Sequence, residues 1–394
     1  MCSSDLIAQE VEFKAGNFKD KKEEFKAIEE KIVKADELLM AANDAIALVN
    51  SPGDNFQKAL QLYLEANEFN DKSAKINMNI GNCYLYTNEK YKATEYILKA
   101  NELNAEVDPF LHFLLGQVYQ LEHEFDKAIK EFKTYEELAK NKYVEEYKKI
   151  MSKYKKECKF AKELTTQKNR YWVDFVPELS SEADDFTPTL SVDGEVLIFN
   201  SRRKNGHKAN EYGQYDSDIY LSNFDGEKWS SPKSLGSPLN TENDDAASSL
   251  AYDGQRLLLW KTDDEGNSTV FESKLNGLNW SEPYEKMSYI VKKGQNTTFA
   301  CYEPLDIKIH YITDKRGDRN IDFSGLMVQY DNKWGEGKSV SHTINSKFHE
   351  ESVYIHPDGK TMYFSSQGHN SMGGSDIFVV RKNELEQWGV PENL

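Results

Sequence analysis

The sequence of 394 residues has no long apolar run, no paired cysteines and none of the common catalytic motifs. No stretch approaches the roughly 18 apolar residues of a membrane-spanning helix, so no transmembrane segment is predicted. The four cysteines, at positions 2, 83, 158 and 301, are isolated and lack zinc-ligand spacing. HExxH, GxSxG and glycine-rich phosphate-binding motifs are missing as well. We therefore expect a protein that is not an enzyme and that needs no cofactor.

Negative charge is in excess and is unevenly distributed along the chain. The formal net charge is −17, of which the residues up to Lys168 contribute −4 and the remainder −13. An acidic surface repels phosphate backbones, which argues against nucleic-acid binding. The charge fits either solubility or a basic protein partner.

Glycine, proline and tryptophan are scarce in the first 168 residues, which hold four of the 22 glycines and none of the six tryptophans. This part is rich in Ala, Glu, Lys and Leu, which helices prefer. The rest is rich in Gly, Asp, Ser, Tyr and Phe, which favour short strands and tight turns. We predict a helical domain over residues 1–168 and a strand domain over residues 169–394.

A period of about 34 residues runs through the helical part. Small residues recur at Ala59, Ala93 and Ala128, with spacings of 34 and 35 residues. The second and third repeats add a glycine and a tyrosine at matching positions, namely Gly81 with Tyr84 and Gly116 with Tyr119. This pattern is typical of tetratricopeptide hairpins, in which small residues let two helices cross closely. Unrelated helical hairpins are the alternative.

A longer period organises the strand part. Four tryptophans, each after a small polar turn, are separated by 51, 54 and 54 residues: Trp229, Trp280, Trp334 and Trp388. An aspartate marks the strand before the tryptophan in three of the units: Asp218, Asp322 and Asp376. An Asp-Gly turn between two strands comes earlier in three units, as in Asp193-Gly194. Four strands in about 53 residues predict a β-propeller blade. A β-sandwich would not give this register of tryptophans.

Several motifs carry a resemblance to a known family: Asp185-Phe186-Thr187-Pro188, Ser191-Val192-Asp193-Gly194, Asp218-Ile219-Tyr220, Trp229-Ser230-Ser231-Pro232 and Gly373-Gly374-Ser375-Asp376. They resemble the WD40-like (PD40) repeats of bacterial envelope lipoproteins that carry tetratricopeptide repeats before the propeller and an OmpA-like domain after it. The resemblance covers almost the whole chain. It implies a non-catalytic scaffold in the periplasm, associated with the outer membrane and with envelope proteins of secretion or gliding assemblies. Peptidoglycan would be a partner only through the OmpA-like domain.

The sequence departs from that family at both ends. Six blades are usual and would need roughly 320 residues at this period, whereas four are visible. We therefore expect a propeller that is truncated at its C-terminal end and lacks the OmpA-like domain. Cys2, followed by Ser3 and Ser4, resembles the acylated cysteine of a mature lipoprotein, although no apolar signal precedes it. Lipidation of Cys2 and a truncation scar are both kept as interpretations.

Other functions stay open at this point. Propellers also gate the catalytic domain of serine-peptidase-like enzymes, and such a domain would lie outside this sequence. A ligand-sensing propeller would use its central channel. Two acidic clusters, at residues 181–185 and 241–245, would either hold calcium or cap the turns between strands.

Overall fold

A computed structural model gives the structure of the protein. It describes residues 9–47, 55–139, 146–167, 173–204, 206, 209, 215–262, 268–285, 297–304, 308–314, 322–330, 333–334 and 338–394. The chain divides into two compact units, Met1–Gln167 and Lys168–Leu394. The first unit is helical and the second consists of antiparallel sheets, which confirms the predicted order of the two structural classes. In the described part of the chain, no helix combines the length and apolarity that a membrane crossing requires.

Each helix of the first unit packs against the next one along the chain. The described α-helices are α1 (Lys22–Ala47), α2 (Asn55–Phe69), α3 (Ala74–Leu85), α4 (Ala93–Leu103), α5 (Phe110–Leu121), α6 (Phe125–Leu138) and α7 (Glu146–Leu164). Short 3-10 helices lie at Ala15–Asn17, Lys19–Lys21 and Lys90–Lys92. Polar side chains accept backbone N–H groups at two of the helix starts: the Ser73 hydroxyl accepts that of Ile76 in α3, and the Asp108 carboxylate accepts that of Phe110 in α5.

Two glycines allow close crossing within successive helix pairs. A Cβ placed on Gly81 of α3 would fall 2.5 Å from Cγ1 of Ile97 in α4. A Cβ placed on Gly116 of α5 would fall 2.5 Å from the ring of Phe132 in α6. Ile97 and Phe132 are fully buried, so neither side chain has free space into which it can move. The two pairs, α3 with α4 and α5 with α6, therefore share one packing solution.

The described residues of the second unit form four antiparallel sheets, and the main strands of each follow one another in sequence order. Sheet 1 consists of β1 (Asp185–Leu190), β2 (Val196–Ser201), β3 (Asp218–Asn223) and β4 (Lys233–Ser234). Sheet 2 consists of β5 (Asp245–Leu250), β6 (Arg256–Thr262), β7 (Ser268–Asn276), β8 (Asn279–Trp280) and β9 (Tyr284–Glu285). Sheet 3 consists of β10 (Thr297–Tyr302), β11 (Lys308–Asp314), β12 (Asp322–Tyr330), β13 (Lys333–Trp334) and β14 (Lys338–Ser339). Sheet 4 consists of β15 (Glu350–Ile355), β16 (Thr361–Ser366), β17 (Asp376–Arg381) and β18 (Glu392–Asn393).

The first strand of each later sheet packs across the strands of the sheet before it. In this way β5 lies on sheet 1, β10 on sheet 2 and β15 on sheet 3. Apolar clusters fill these junctions: Ile198 and Ile219 of sheet 1 pack with Leu250, and Leu258 and Val270 of sheet 2 pack with Tyr302. We call the side of a sheet that receives the following strand its forward face.

Polar groups fix the same junctions. The Thr189 hydroxyl accepts the Leu250 N–H at 3.0 Å, and the Ser249 hydroxyl accepts the Tyr302 N–H at 3.4 Å. Asn200 donates to the Ala247 carbonyl at 2.9 Å and accepts the Ala247 N–H at 2.7 Å. Because Asn200 and Ala247 are both buried, these bonds satisfy backbone groups that have no access to water.

Candidate interaction site at the turn end of the sheets

Three of the sheets join their first two strands through an Asp-Gly turn. The glycines have positive φ angles, +76° at Gly194, +68° at Gly254 and +67° at Gly359, which L-residues with a Cβ adopt only with strain. The preceding aspartate carboxylate accepts a backbone N–H two residues later, at 2.8 Å from Gln255 in sheet 2 and 2.7 Å from Lys360 in sheet 4. These turns lie at one end of the sheets and position the residues beside them.

In two of these turns, hydrogen bonds lower the pKa of the aspartate, at Asp193 and Asp358. At Asp358 slight burial acts to raise the pKa, but hydrogen bonds from the Lys360 N–H and from the Thr361 hydroxyl and N–H lower it to about 2. The Ser191 hydroxyl and the Glu195 N–H likewise lower the pKa of Asp193. The carboxylates of Asp193 and Asp358 therefore place negative charge at the turn end of the sheets.

A tyrosine-lined mouth lies where these turns converge. We define the mouth by its lining residues, which come from all four sheets: Leu190, Val192, Ser249, Leu250, Ala251, Tyr252, Tyr302, Tyr354 and Pro357. Its cavity measures about 10 Å³, which is space for about one water molecule. Apolar surface nevertheless faces solvent around it, since Leu190 is 42 %, Val192 55 % and Tyr354 37 % exposed. The mouth suits contact with a side chain from outside better than enclosure of a small molecule.

Hydrogen bonds hold two of the mouth tyrosines in place. The Tyr252 hydroxyl donates to the Ile355 carbonyl, which ties the turn of sheet 2 to the first strand of sheet 4. The Tyr302 hydroxyl donates to the buried carboxylate of Glu272 at 2.6 Å. The Arg256 guanidinium stacks 5.3 Å from the centre of the Tyr302 ring and pairs with Asp253 at 2.9 Å. A cation therefore already stacks on one aromatic ring of this site.

The two acidic clusters that suggested calcium serve as caps and ion pairs. The Asp185 carboxylate accepts the Ser181 N–H at 2.7 Å and pairs with Arg203 at 2.7 Å. In the equivalent position, Asp245 accepts the Thr241 hydroxyl at 2.7 Å and pairs with Lys261 at 2.7 Å. Within the described ranges, no group of three or more His, Cys, Asp or Glu side chains is arranged to hold a metal ion.

The repeat residues singled out in the first 168 residues belong to the packing of the helical unit. Gly81, Ala93, Gly116 and Ala128 are in the helix crossings, and the two alanines are fully buried. The Tyr84 ring stacks on Tyr96 with centroids 5.6 Å apart, and Lys127 lies 5.5 Å from the Tyr119 ring. These residues shape the helical pairs.

The tryptophans and aspartates of the longer period do not line the mouth. Trp229 packs on Phe224 with ring centroids 5.2 Å apart, Trp388 lies under Lys382, and Trp280 packs on the core between sheets 1 and 2. Asp218 is buried, and Asp376 accepts the Met372 N–H at 3.0 Å. The backbone of Asp322 pairs with that of Asp314, and Trp334 with Gln329. Cys2 lies outside the described residues.

Sequence reasoning missed the mouth. Its signal is short: an apolar or aromatic residue stands directly before each Asp-Gly turn, at Val192, Tyr252 and Pro357. Tyr302 and Tyr354 carry no such signal, because they come from strands that meet only through the stacking of sheets.

Comparisons with known proteins assign no family. No protein-family model matches the chain, and no curated protein matches it. Among solved structures, TolB from Acinetobacter baumannii is similar at 15 % identity with a TM-score of 0.36, over 55 % of this chain and 45 % of that one. A putative TolB from Agrobacterium tumefaciens shares 13 % identity with a TM-score of 0.33, over 54 % of this chain and 81 % of that one. A post-proline cleaving enzyme from Rickettsia typhi shares 6 % identity with a TM-score of 0.30, over 51 % and 27 %. The chain thus spans less than half of the first of these proteins.

Proposed function

We propose that this protein is a non-catalytic interaction scaffold that binds a protein partner at the tyrosine-lined mouth. In this proposal the helical unit is a stack of tetratricopeptide-type hairpins, and the four sheets are blades of a WD40-like propeller. The observation that carries the proposal is the mouth itself, where solvent-exposed Leu190, Val192 and Tyr354 surround anchored tyrosines.

Both the composition and the size of the mouth support a protein ligand. Tyrosine is enriched among the residues that dominate binding energy at protein interfaces, because it buries a large rigid ring at low entropic cost. The cavity is too small to enclose a drug-sized molecule, whose sites usually measure about 300–1,000 Å³. The repeated helix pairs support the tetratricopeptide assignment, since Gly81 and Gly116 each allow a side chain of the following helix to pack directly on the helix that carries the glycine.

The cellular setting of the proposal is the bacterial envelope, and it rests on the motif resemblance. The partner is accordingly an envelope protein, and the negative turn end of the sheets favours one with a basic contact segment.

Site-specific photocrosslinking tests the proposal. A photoreactive amino acid at Val192, which is 55 % exposed in the mouth, is expected to capture a defined protein from an envelope fraction. The matched control carries it at Leu278, which is 96 % exposed in the turn between β7 and β8. Excess unlabelled protein should compete with the crosslink, whereas excess Val192→Asp protein should not.

Equal crosslinking from both positions, or capture only of cytosolic proteins, would contradict the proposal. Hydrolysis of peptide or glycoside substrates by the purified chain would contradict its non-catalytic part.

A further inference from the structure

One edge of the helical unit carries an irregular segment. We call this segment, residues 9–14, the strap; it lies directly before the first 3-10 helix. The Val11 N–H donates to the Lys72 carbonyl at 2.9 Å, and the Asn70 side-chain amide donates to the Val11 carbonyl at 2.7 Å. Both main-chain groups of Val11 are therefore bound at the turn between α2 and α3.

Two successive repeats present equivalent asparagines at this edge. Asn70 follows α2 and Asn104 follows α4, and the two are 34 residues apart, which is the period of the helical part. Each side-chain oxygen accepts the N–H of the residue two positions later, at 3.2 and 2.9 Å. Each amide nitrogen binds the strap: Asn70 donates to Val11, and Asn104 donates to the Glu10 carboxylate at 2.8 Å. The edge thus offers the strap one amide donor in each of these two repeats.

An aromatic pocket beside this edge receives one side chain of the strap. The Phe13 ring stacks on Phe25, with centroids 4.7 Å apart, and its centroid lies 5.6 Å from that of Phe18 and 6.0 Å from that of Phe69. Contacts between rings favour an aromatic side chain in such a pocket beyond the area that it buries. The strap is thus recognised through two side chains, the Glu10 carboxylate and the Phe13 ring, and through the main chain of one residue between them.

The strap is held at the surface of the protein. All of its residues are partly buried or exposed, whereas Asn70 and Phe25, which it contacts, are buried. A surface segment that is held by few contacts opens locally at a lower free energy than packed helices do. Opening would remove the partner of the Asn70 amide nitrogen and expose the rings of Phe25 and Phe69, so that another segment with matching groups could replace the strap.

We propose that this edge is a peptide-binding site, and that the strap occupies it as an intramolecular ligand which a segment of a partner protein displaces. The ligand would carry an acidic side chain for the Asn104 amide and, three residues later, an aromatic side chain for the pocket, as Glu10 and Phe13 do. The residue after the acidic one would bind through its main chain, as Val11 does. Because the strap is tethered beside its site, its effective concentration is high and a partner must compete with it.

Fluorescence anisotropy with a labelled synthetic peptide of residues 9–14 tests this proposal on the full chain. The peptide should bind the unchanged protein weakly, because the strap occupies the site. Val11→Pro together with Phe13→Ala in the chain removes one N–H donor and the ring of the strap, so this open-strap protein should bind the peptide more tightly by about tenfold or more. Glu12→Gln is the matched control and should bind like the unchanged protein, because the Glu12 carboxylate pairs with Lys14 within the strap.

Two further changes locate the site. In the open-strap protein, Asn104→Asp keeps an oxygen that accepts the Glu106 N–H but replaces the amide donor by a carboxylate. This change should weaken peptide binding by about tenfold, because the new charge repels the acidic residue of the peptide. A peptide that carries Phe13→Ala should bind the open-strap protein more weakly as well, because it leaves the aromatic pocket empty. Unchanged binding in both cases would overturn the assigned site.

The remaining outcomes separate a binding site from a purely structural contact. Failure of the open-strap protein to bind the peptide at millimolar concentration would overturn the proposal, and so would equal binding by the unchanged and open-strap proteins. Hydrogen exchange of the unchanged protein, measured by NMR with isotope-labelled valine, needs no substitution. Excess peptide should accelerate exchange of the Val11 amide, because it displaces the strap; an unchanged rate would contradict the displacement.

Discussion

The helical unit and the sheet unit hold their repeats together in different ways. In the helical unit, the crossings at Gly81 and Gly116 depend on the absence of a side chain, and the partners Ile97 and Phe132 are wholly apolar. In the sheet unit, buried polar side chains such as Asn200 and Thr189 bind the backbone of the next sheet. Helices satisfy their own backbone groups internally, so the crossings at Gly81 and Gly116 can be made by apolar side chains alone. A strand that lies across another sheet brings polar backbone groups to the junction, and these need partners.

The largest expected effect tests the steric rule of the helical unit. Gly116→Val should lower the free energy of unfolding of the helical unit by about 3 kcal/mol, because its side chain overlaps the buried Phe132 ring. Denaturant titration followed by circular dichroism at 222 nm measures this loss. Gly16→Val is the matched control, because nothing lies within 4 Å of a Cβ at Gly16.

Removing the ring should relieve the overlap. In the double variant Gly116→Val with Phe132→Ala, the combined loss should be smaller than the sum of the single losses by about 1 kcal/mol or more. Strict additivity would show that Gly116 and Phe132 do not determine the crossing together.

A smaller effect is expected where a polar side chain fixes two sheets. Asn200→Ala should cost the sheet unit about 2 kcal/mol, because it leaves the N–H and carbonyl of buried Ala247 unpaired. Asn200→Leu should lose as much stability, because leucine fills the volume of the asparagine side chain but cannot form its two hydrogen bonds with Ala247. Asn223→Ala, at an exposed asparagine in the neighbouring strand β3, is the control and should change stability by less than about 0.5 kcal/mol. Equal stability of the Asn200 and Asn223 variants would remove the proposed difference between the units.

The smallest effect concerns a titrating group in the same kind of junction. The His369 ring lies 5.2 Å from that of Phe378, and its Nε2 donates to the Ile344 carbonyl at 2.9 Å. Burial lowers the pKa of His369 below its ordinary value of 6.5, although the Ile344 hydrogen bond opposes this shift. The folded protein therefore binds fewer protons than the unfolded chain just below pH 6.5. The stabilisation from His369 is complete above pH 6.5 and declines as the pH falls through the lowered pKa.

Urea titrations of the sheet unit between pH 7.5 and 5.5 measure this contribution. The unchanged protein should lose more stability over this range than His369→Gln, which cannot titrate. Equal losses in the two proteins would exclude His369 as a source of the pH dependence.

Local rules made much of the fold predictable. Breakers and composition indicated helices before strands, and Asp-Gly pairs indicated turns such as the one between β1 and β2. The close helix crossings at Gly81 and Gly116 also followed from the repeat, since a short period places equivalent residues in register. These features depend on neighbours within one repeat, where sequence spacing and spatial distance agree.

The mouth could not be predicted in the same way. Tyr302 ends a strand and Tyr354 lies within another, and the two share no motif with Tyr252 in its turn. They meet because each first strand crosses the preceding sheet, which is a property of how sheets stack and not of any single repeat. The regularly spaced tryptophans are the more conspicuous feature of the sequence, yet Trp229 and Trp388 pack in hairpins that do not line the mouth. Periodicity thus identified the individual repeats, whereas the mouth arises only where successive repeats stack.

Each unit contains buried cysteine thiols, and their rate of alkylation reports how often that unit opens locally. Cys83 and Cys158 are buried in the helical unit, and Cys301 is buried in the sheet unit. The Cys301 sulfur accepts a hydrogen bond from the Ile355 N–H. Burial raises the pKa of all three thiols, so an alkylating reagent reaches a reactive thiolate only after the surrounding elements separate. Modification rates measured by mass spectrometry would then show, in one sample, how fast the helices separate and how fast sheets 3 and 4 separate. The thiols of the two units thus report separately on the local opening of each unit.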